Sequence, residues 1–222
     1  MPIPIRGPLS IPLRLIGVKK SQMNPNLCTI CETNFTKVKK KKQIVIPATI
    51  LFADLRGYTS LSEKTERSEV LHLLHNFYDD CASAIWERDG IVNKFIGDAV
   101  LAIFNFPIVQ NDHVRQAVLA AMEIQKRWME ATSERKDLPI GIGVGIHTGN
   151  ASIGEVGTAY KDFTIIGPVV NLASRMQSAA GLGEVVVTED VYHQVEDLFP
   201  QASTRTYQLK GIEEPVNGFL LR

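Results

Sequence analysis

Residues 91–104 read Ile-Val-Asn-Lys-Phe-Ile-Gly-Asp-Ala-Val-Leu-Ala-Ile-Phe, and their pattern is the most informative about the fold. Two short apolar runs, Ile91 to Phe95 and Ala99 to Phe104, are joined through Gly97-Asp98. A Gly-Asp pair between apolar runs is a β-hairpin signal, because it suits the backbone conformation of a tight turn. The stretch therefore predicts two antiparallel strands with Asp98 at the tip between them.

One strand and two helices surround this hairpin. Residues Ile44 to Phe52 are β-branched and apolar, which predicts a buried strand, and Pro47 restricts its first half to an edge or a bulge. Apolar residues then recur at helical spacing from Val70 to Ile85. They do so again from Val114 to Trp128, where Asp112 can cap the helix.

The second half of the chain continues to alternate strands and helices. We expect strands over 140–147 and 151–156 that meet at residues 148–150, a helix over 169–177, a strand over 185–187, a short helix capped by Thr188, and two strands within 204–221. Pro168 and Gly181 bound the helix over 169–177. Strand, helix, hairpin, helix, strand is the order of a ferredoxin-like unit. The predicted fold class is therefore α+β, with a ferredoxin-like βαββαβ core and extra C-terminal strands.

The composition is that of a globular protein with balanced charge. The 222 residues include 24 Lys and Arg and 24 Asp and Glu, and 45% are hydrophobic. A general nucleic-acid binder usually carries excess positive charge, so the balance argues against one. No apolar run approaches the ~18 residues of a membrane span, and the first 20 residues lack the apolar core of a signal peptide. Three cysteines make no secreted disulfide framework, so we expect a cytoplasmic protein.

Residues 1–43 differ in kind from the rest and predict an N-terminal extension with a linker, followed by one domain over 44–222. The extension holds four prolines before Arg14, the pair Cys28 and Cys31, and a lysine-rich run over 37–42. The cysteine pair could be half of a zinc site, a redox switch or a purely structural element. The lysines fit a solvated tether, and the alternative is contact with RNA or an anionic membrane surface.

Two aspartates are the strongest candidates for chemistry. Asp54 ends the first apolar strand and precedes a turn over 55–59, while Asp98 lies at the hairpin tip. If the two strands are neighbours, both carboxylates lie at one sheet edge and can share Mg²⁺, which proteins commonly hold with one or two carboxylates plus substrate phosphates. The amides of Gly57, Tyr58 and Thr59 would then bind an anion. The competing interpretation makes both aspartates ordinary turn or capping residues.

Three further polar residues call for an explanation. Lys94 lies inside an otherwise apolar strand, where a lysine commonly guards a sheet edge. Asn171 and Arg175 are four residues apart on a helix and share one face, so the arginine could contact a phosphate or form a surface salt bridge. The glycines over 141–145 match neither a dinucleotide-binding motif nor a P-loop. A nucleotide would therefore be bound without a Walker lysine.

Four blocks of this sequence closely resemble the catalytic domains of class III adenylyl and guanylyl cyclases. The blocks are FADLRGYT at 52–59, KFIGDA at 94–99, GIHTG at 145–149 and TIIGPVVNLASRM at 164–176. They occur in the family's order, and the resemblance covers about residues 44–221. Matched by position, Asp54 and Asp98 resemble the two metal-binding aspartates. The carbonyl of Leu55 can assist them in holding two Mg²⁺ or Mn²⁺ ions per site.

The resemblance also implies how the nucleotide is recognised. Lys94 and Thr164 match the pair that reads the purine. This combination is similar to the adenine-selective class IIIb, whereas guanylyl cyclases typically carry glutamate and cysteine. Asn171 and Arg175 match the catalytic pair that orients the ribose and stabilises the transition state. Lys210 resembles a lysine that contacts the terminal phosphates.

The activity that the resemblance implies is that of an adenylate cyclase, a phosphorus–oxygen lyase that converts ATP to 3′,5′-cyclic AMP and pyrophosphate. Such chains form head-to-tail homodimers in which one subunit supplies the metal-binding aspartates and the other supplies Lys94, Thr164, Asn171, Arg175 and Lys210. Two positions depart from the family. Pro168 stands where many members carry aspartate or another polar residue, and Gly143 stands where some members have an arginine near the phosphates. Phosphate contact then depends more on Lys210 and the turn amides.

A second hypothesis makes the chain a cyclase-like regulatory or nucleotide-binding module with little turnover. All seven functional positions are intact in this sequence. A module without catalysis has no physical need for both carboxylates, so the sequence favours the enzyme.

Overall fold

Eight strands and five helices form in the part of the chain that the computed structural model describes, residues 21, 23–25, 27–28, 43–133, 140–159 and 162–221. The strands are β1 (Ile44–Arg56), β2 (Ile91–Ile96), β3 (Ala99–Phe104), β4 (Gly141–Val156), β5 (Asp162–Ile166), β6 (Val185–Thr188), β7 (Ser203–Tyr207) and β8 (Val216–Leu221). The helices are α1 (Tyr58–Ser62), α2 (Arg67–Glu87), α3 (His113–Ala131), α4 (Pro168–Ala179) and α5 (Glu189–Tyr192). The α+β fold class and the order strand, helix, hairpin, helix, strand are confirmed.

All eight strands belong to one sheet, in the order β2-β3-β1-β4-β6-β8-β7, with β5 paired to the far end of β4. The pairs are antiparallel except β4 with β6. The hairpin of β2 and β3 turns at Gly97, whose φ of +60° lies in the left-handed region that favours glycine. The predicted hairpin is therefore present, with Asp98 in its turn.

Two apolar layers form because alternate residues of β1 face opposite sides of the sheet. One layer packs against α2 and α3 and contains Leu51, Ala53 and Leu55. The other packs against α4 and contains Ala48, Ile50 and Phe52. By the same alternation Asp54 lies on the α4 side. Among the described residues, no helix has the length and apolar character needed to cross a bilayer.

One strand prediction was wrong, and one strand was missed. The segments 140–147 and 151–156 are one continuous strand, because β1 pairs with β4 from Gly141 to Ile153 and carries it through the expected turn at 148–150. β5 was not predicted, since it is short and pairs only with the last residues of β4. Pro47 lies on the part of β1 that pairs with β4 but lies outside its register with β3, as an edge position requires.

The two predicted side-chain caps are also absent. Asp112 and Thr188 precede α3 and α5, but neither side chain caps its helix. The Asp112 carboxylate instead accepts from Gln116 Nε2 at 2.7 Å, and Thr188 Oγ1 lies 2.7 Å from His147 Nδ1. A side chain one turn along its own helix therefore takes up Asp112, and a residue of β4 takes up Thr188.

Part of the N-terminal extension packs against the rest of the chain. Asn24 Nδ2 donates to the carbonyl of Gly90 at 2.8 Å, and Leu27 is 3% exposed in the apolar layer on the α4 side. Cys28 is buried, whereas Cys31 and the lysine-rich run at 37–42 lie outside the described residues. The boundary at residue 43 and the role of the cysteine pair stay predictions.

Candidate functional site

Asp54 and Asp98 come together because β1 and β3 are neighbouring strands. Asp54 pairs directly with Ala99, and the amide of Leu55 donates to the carbonyl of Asp98 at 3.1 Å. The hydroxyl of Tyr78, on α2, donates to the carbonyl of Gly97 and ties the hairpin tip to that helix. β1 continues for two residues beyond Asp54. The expected placement of both aspartates at one edge of this strand pair is observed.

The Asp54 carboxylate is half-buried among three polar groups. Its Oδ2 accepts from Gln177 Nε2 at 3.0 Å and lies 3.3 Å from Arg56 Nη1. Burial raises the pKa of Asp54 and the charge of Asp98 raises it further, while Arg56 and the Gln177 hydrogen bond lower it. The pKa of Asp54 is therefore above its ordinary value of 3.8. A bound cation would offset the repulsion by which Asp98 disfavours the charged form of Asp54.

Two glycines of β4 make room for these polar groups. Gly143 pairs with Asp54, and a Cβ there would lie 2.5 Å from Arg56 Nε. A Cβ on Gly145 would lie 2.0 Å from the backbone nitrogen of Gln177, so only glycine lets α4 approach the sheet this closely. The guanidinium of Arg56 thus fills the space over Gly143, and its Nη2 also donates to the Gln177 carbonyl.

The turn after β1 places Gly57 and its neighbours beside Asp54. Gly57 has φ +83° and precedes α1, and its carbonyl accepts from the Leu61 amide at 3.0 Å. Thr59 is exposed and Tyr58 partly so. The three turn residues therefore follow Asp54 by three to five positions in the chain, and their role in anion binding stays a prediction.

Lys94 and Thr164 belong to two segments that contact each other directly. The ammonium of Lys94 pairs with Asp162, at the start of β5. The hydroxyl of Thr164 donates to Asn93 Oδ1 at 3.3 Å, and Asn93 Nδ2 donates to the Phe163 carbonyl at 3.3 Å. The structure therefore brings together the residues expected to read the purine. β2 is an edge strand of the sheet, so the edge-guarding interpretation of Lys94 also fits.

Asn171 and Arg175 lie on the exposed side of α4. Among the residues that the structure describes, Arg175 has no acidic partner within 4.0 Å, so the predicted surface salt bridge is absent there. Lys210 is exposed between β7 and β8, next to Leu209, which packs in the same apolar cluster as Met176 of α4. The loop of Lys210 is thereby held on the α4 side of the sheet.

Four polar residues at this site were missed by the sequence analysis: Arg56, Asn93, Asp162 and Gln177. The signal available for Arg56 was its spacing of two from Asp54, which puts both side chains on one face of a strand. Gln177 meets Asp54 only after α4 has packed on β4. Nothing in the local sequence around Gln177 indicates that contact.

Comparison with known proteins identifies the family to which this arrangement belongs. The family model described as the adenylate and guanylate cyclase catalytic domain matches residues 40–222. An adenylate cyclase of Anabaena cylindrica is 34% identical over 185 residues, 76% of this chain and 35% of that protein. A receptor-type guanylate cyclase of Caenorhabditis elegans is 29% identical over 147 residues, 64% of this chain and 14% of that protein. The chain thus spans about a third or less of these relatives' length.

Solved structures agree with the family match. The crystal structure of the adenylyl cyclase CyaB from P. aeruginosa has a TM-score of 0.74 at 29% identity and covers 82% of this chain and 96% of that one. A crystal structure of a guanylyl cyclase has a TM-score of 0.74 at 30% identity and covers 81% and 93%. Similar proteins thus include both adenylyl and guanylyl cyclases, while fold, motifs and family model coincide over the same residues. The chain therefore belongs to the class III adenylyl and guanylyl cyclase family, with its catalytic domain in residues 40–222.

Proposed function

We propose that this chain is an adenylate cyclase that converts ATP to 3′,5′-cyclic AMP and pyrophosphate at a site shared by two copies. The observation that carries the choice of ATP is the contact between the segments of Lys94 and Thr164, made through Asn93 and Asp162. Adenine presents an acceptor at N1 and a donor at N6. Lys94 can donate to the first, and the Thr164 hydroxyl can accept from the second.

The same pair disfavours guanine. Guanine reverses both groups on that edge, so its N1–H would face the Lys94 ammonium and its O6 would face the hydroxyl oxygen. Sites built on such hydrogen bonds can discriminate by ~10⁴ or more, because the wrong base leaves polar groups unpaired. We therefore expect a clear preference for ATP over GTP.

The exposed face of α4 supports a site made by two copies arranged head to tail. Arg175 is exposed on that helix, whereas Gln177 is buried and donates a hydrogen bond to Asp54 of the same chain. One copy would supply Asp54 and Asp98, and the other would supply Lys94, Thr164, Asn171, Arg175 and Lys210. Arg175 from the second copy would stabilise charge on the α-phosphoryl oxygens, Asn171 would orient the ribose, and Lys210 would contact the terminal phosphates.

The donor set at Asp54 and Asp98 fits a hard divalent cation. Carboxylate and carbonyl oxygens are the ligands that Mg²⁺ and Mn²⁺ accept, and burial together with mutual repulsion already disfavours the charged form of Asp54. Asp54, Asp98 and the Leu55 carbonyl would hold two such ions, with substrate phosphates as further ligands. Bound there, the ions would lower the pKa of the ribose 3′-hydroxyl and neutralise the triphosphate.

The reaction then requires one displacement at phosphorus. The ribose 3′-oxygen attacks the α-phosphorus in line, and the bond to the bridging oxygen breaks as pyrophosphate leaves. The chain's own residues would hold the two ends of the nucleotide. Lys94 and Thr164 would hold the purine, and Lys210 and the amides of 57–59 would hold the terminal phosphates. We place the reaction in the cytoplasm, where ATP is available.

The competing function is a nucleotide-binding module without useful turnover. Asp54→Ala separates the two, since it removes a carboxylate while leaving the purine and ribose contacts in place. The enzyme would lose turnover and keep nucleotide binding. A wild-type protein that binds ATP and forms no cyclic nucleotide with Mg²⁺ or Mn²⁺ would favour the binding module.

A further inference from the structure

A β-bulge in β2 turns two successive side chains toward β5. Val92 pairs with Ala102 and Lys94 with Leu101, so Asn93 is an extra residue with no partner in β3. Successive residues of a regular strand point to opposite faces, and a bulge re-aims a side chain at such a point. Here Asn93 contacts Phe163 and Thr164, while Lys94 contacts Asp162.

The contacts of Asn93 determine which way its amide faces. The Phe163 carbonyl can only accept, so the nitrogen of the Asn93 amide must face it, at 3.3 Å. The amide oxygen then faces the Thr164 hydroxyl, also at 3.3 Å, and can only accept from it. The single hydroxyl proton of Thr164 is thereby committed to Asn93, and what Thr164 offers a ligand is its lone pairs.

We propose that Asn93 is a positioning residue that makes the Thr164 hydroxyl an acceptor and so selects adenine over guanine. This inference rests on the proposed function and deepens it. A threonine hydroxyl alone is a poor discriminator, because it rotates to donate or accept as the partner requires. With its proton held by Asn93, the hydroxyl accepts from the adenine N6 amino group and repels the guanine O6.

Removing the Asn93 amide should therefore release the hydroxyl to rotate. In Asn93→Ala, Thr164 can donate to guanine O6, so GTP gains a hydrogen bond that the wild-type site denies it. A hydrogen bond of this kind changes affinity by about tenfold. We expect the ratio of kcat/KM for ATP to that for GTP to fall about tenfold. The preference does not invert, because Lys94 still donates to adenine N1.

Three variants separate this role from a purely structural one. Asn93→Leu has nearly the shape of asparagine and no acceptor, so it should lower the ratio as Asn93→Ala does. Asn93→Asp keeps an acceptor toward Thr164 and should keep the preference for ATP. In a Thr164→Val background, Asn93→Ala should leave the ratio unchanged, because the group through which it acts is absent. A structural defect would lower turnover of both nucleotides together.

The test measures steady-state turnover of ATP and GTP. In parallel, it measures the affinity of each nucleotide by competition with a fluorescent ATP analogue. A wild-type preference for ATP with the same ratio in Asn93→Ala and Asn93→Leu overturns the role of Asn93 alone. A further fall of the ratio in the Thr164→Val background also overturns it. A wild-type preference for GTP contradicts the proposed substrate. If the wild type turns over neither nucleotide, the proposed function fails, and the affinity ratio still tests Asn93.

Discussion

Arg175 and Gln177 stand two residues apart on α4 and act on opposite sides of that helix. Gln177 Nε2 donates to Asp54 Oδ2 at 3.0 Å, whereas Arg175 is exposed. In a helix with 3.6 residues per turn, residues that are two positions apart are separated by about 200° around the helix axis. A nucleotide bound by Arg175 would therefore lie on the far side of α4 from the Asp54 of the same chain.

This relationship predicts that two inactive variants restore each other. In an equal mixture of Asp54→Ala and Arg175→Ala, about half of the dimers are mixed after subunit exchange, and each has one intact site out of two. Turnover should recover to about a quarter of the wild-type value, because a symmetric dimer has two equivalent sites. The measurement is cyclic nucleotide formation before and after mixing.

A matched mixture serves as the control for that recovery. Asp54→Ala mixed with Asp98→Ala should stay inactive, because both substitutions damage the half of the site that one copy supplies. Recovery in this control, or none in the first mixture once exchange is demonstrated, would contradict the assignment of residues to the two halves.

The Asp54 carboxylate, which the proposed reaction requires, should lower the free energy of unfolding at neutral pH. Burial and the charge of Asp98 raise the pKa of Asp54, so the folded state binds a proton more tightly than the unfolded state. The stability that this carboxyl contributes is present below its ordinary pKa and is lost as the pH rises through the folded value. Asp54→Asn should therefore lose turnover and, with metal chelated, melt at a higher temperature than wild type at about pH 7.

Melting temperatures of Asp54→Asn and wild type, measured over a series of pH values, test this effect. At or below about pH 4 the difference in melting temperature between Asp54→Asn and wild type should shrink, because the wild-type carboxyl is then protonated. Asp112→Asn provides the matched control, because it makes the same substitution at an exposed aspartate outside this site. A lower melting temperature for Asp54→Asn at neutral pH would mean that Arg56 and Gln177 outweigh burial and repulsion.

The space over Gly143 predicts a coupling with Arg56. Gly143→Ala would put a methyl group 2.5 Å from Arg56 Nε and push the guanidinium away from Asp54 and Gln177. We expect a loss of about 1–3 kcal/mol in the free energy of unfolding, as for other overpacked sites. In an Arg56→Ala background the added methyl group should cost little. Urea titrations of the four proteins measure the coupling, and additive effects would refute the contact.

His147 predicts a loss of stability in mild acid. Burial lowers its pKa below the ordinary 6.5, with a smaller opposing effect from Asp190. A lowered pKa means that the unfolded state binds the proton more readily, so stability is complete above 6.5 and is lost as the pH falls below it. His147→Gln should reduce this loss between about pH 7.5 and 5.5 in urea titrations.

The hairpin could be predicted because its causes are local: two apolar runs and the Gly97-Asp98 pair between them suffice to indicate the turn. The meeting of Asp54 with Asp98 followed from one further assumption, that β1 and β3 are neighbouring strands. β5 could not be predicted in that way, because it depends on the end of a strand that runs on past the expected turn. The bulge at Asn93 is a one-residue irregularity that β-strand periodicity does not signal.

The polar contacts of Asp54 escaped prediction for a different reason. Arg56 fills a space that exists because Gly143, on another strand, has no side chain. Gln177 reaches Asp54 because Gly145 lets α4 lie against the sheet. Both depend on pairs of residues far apart in the chain, which neither hydrophobic spacing nor motif comparison addresses.

The proposed reaction is best checked by identifying its products. The purified protein is incubated with ATP or GTP and with Mg²⁺ or Mn²⁺, at concentrations that favour the dimer, and the products are resolved by chromatography. We expect 3′,5′-cyclic AMP and pyrophosphate from ATP, with GTP a poor substrate. Comparable turnover of both nucleotides, a preference for GTP, or no cyclic product under any of these conditions would contradict it.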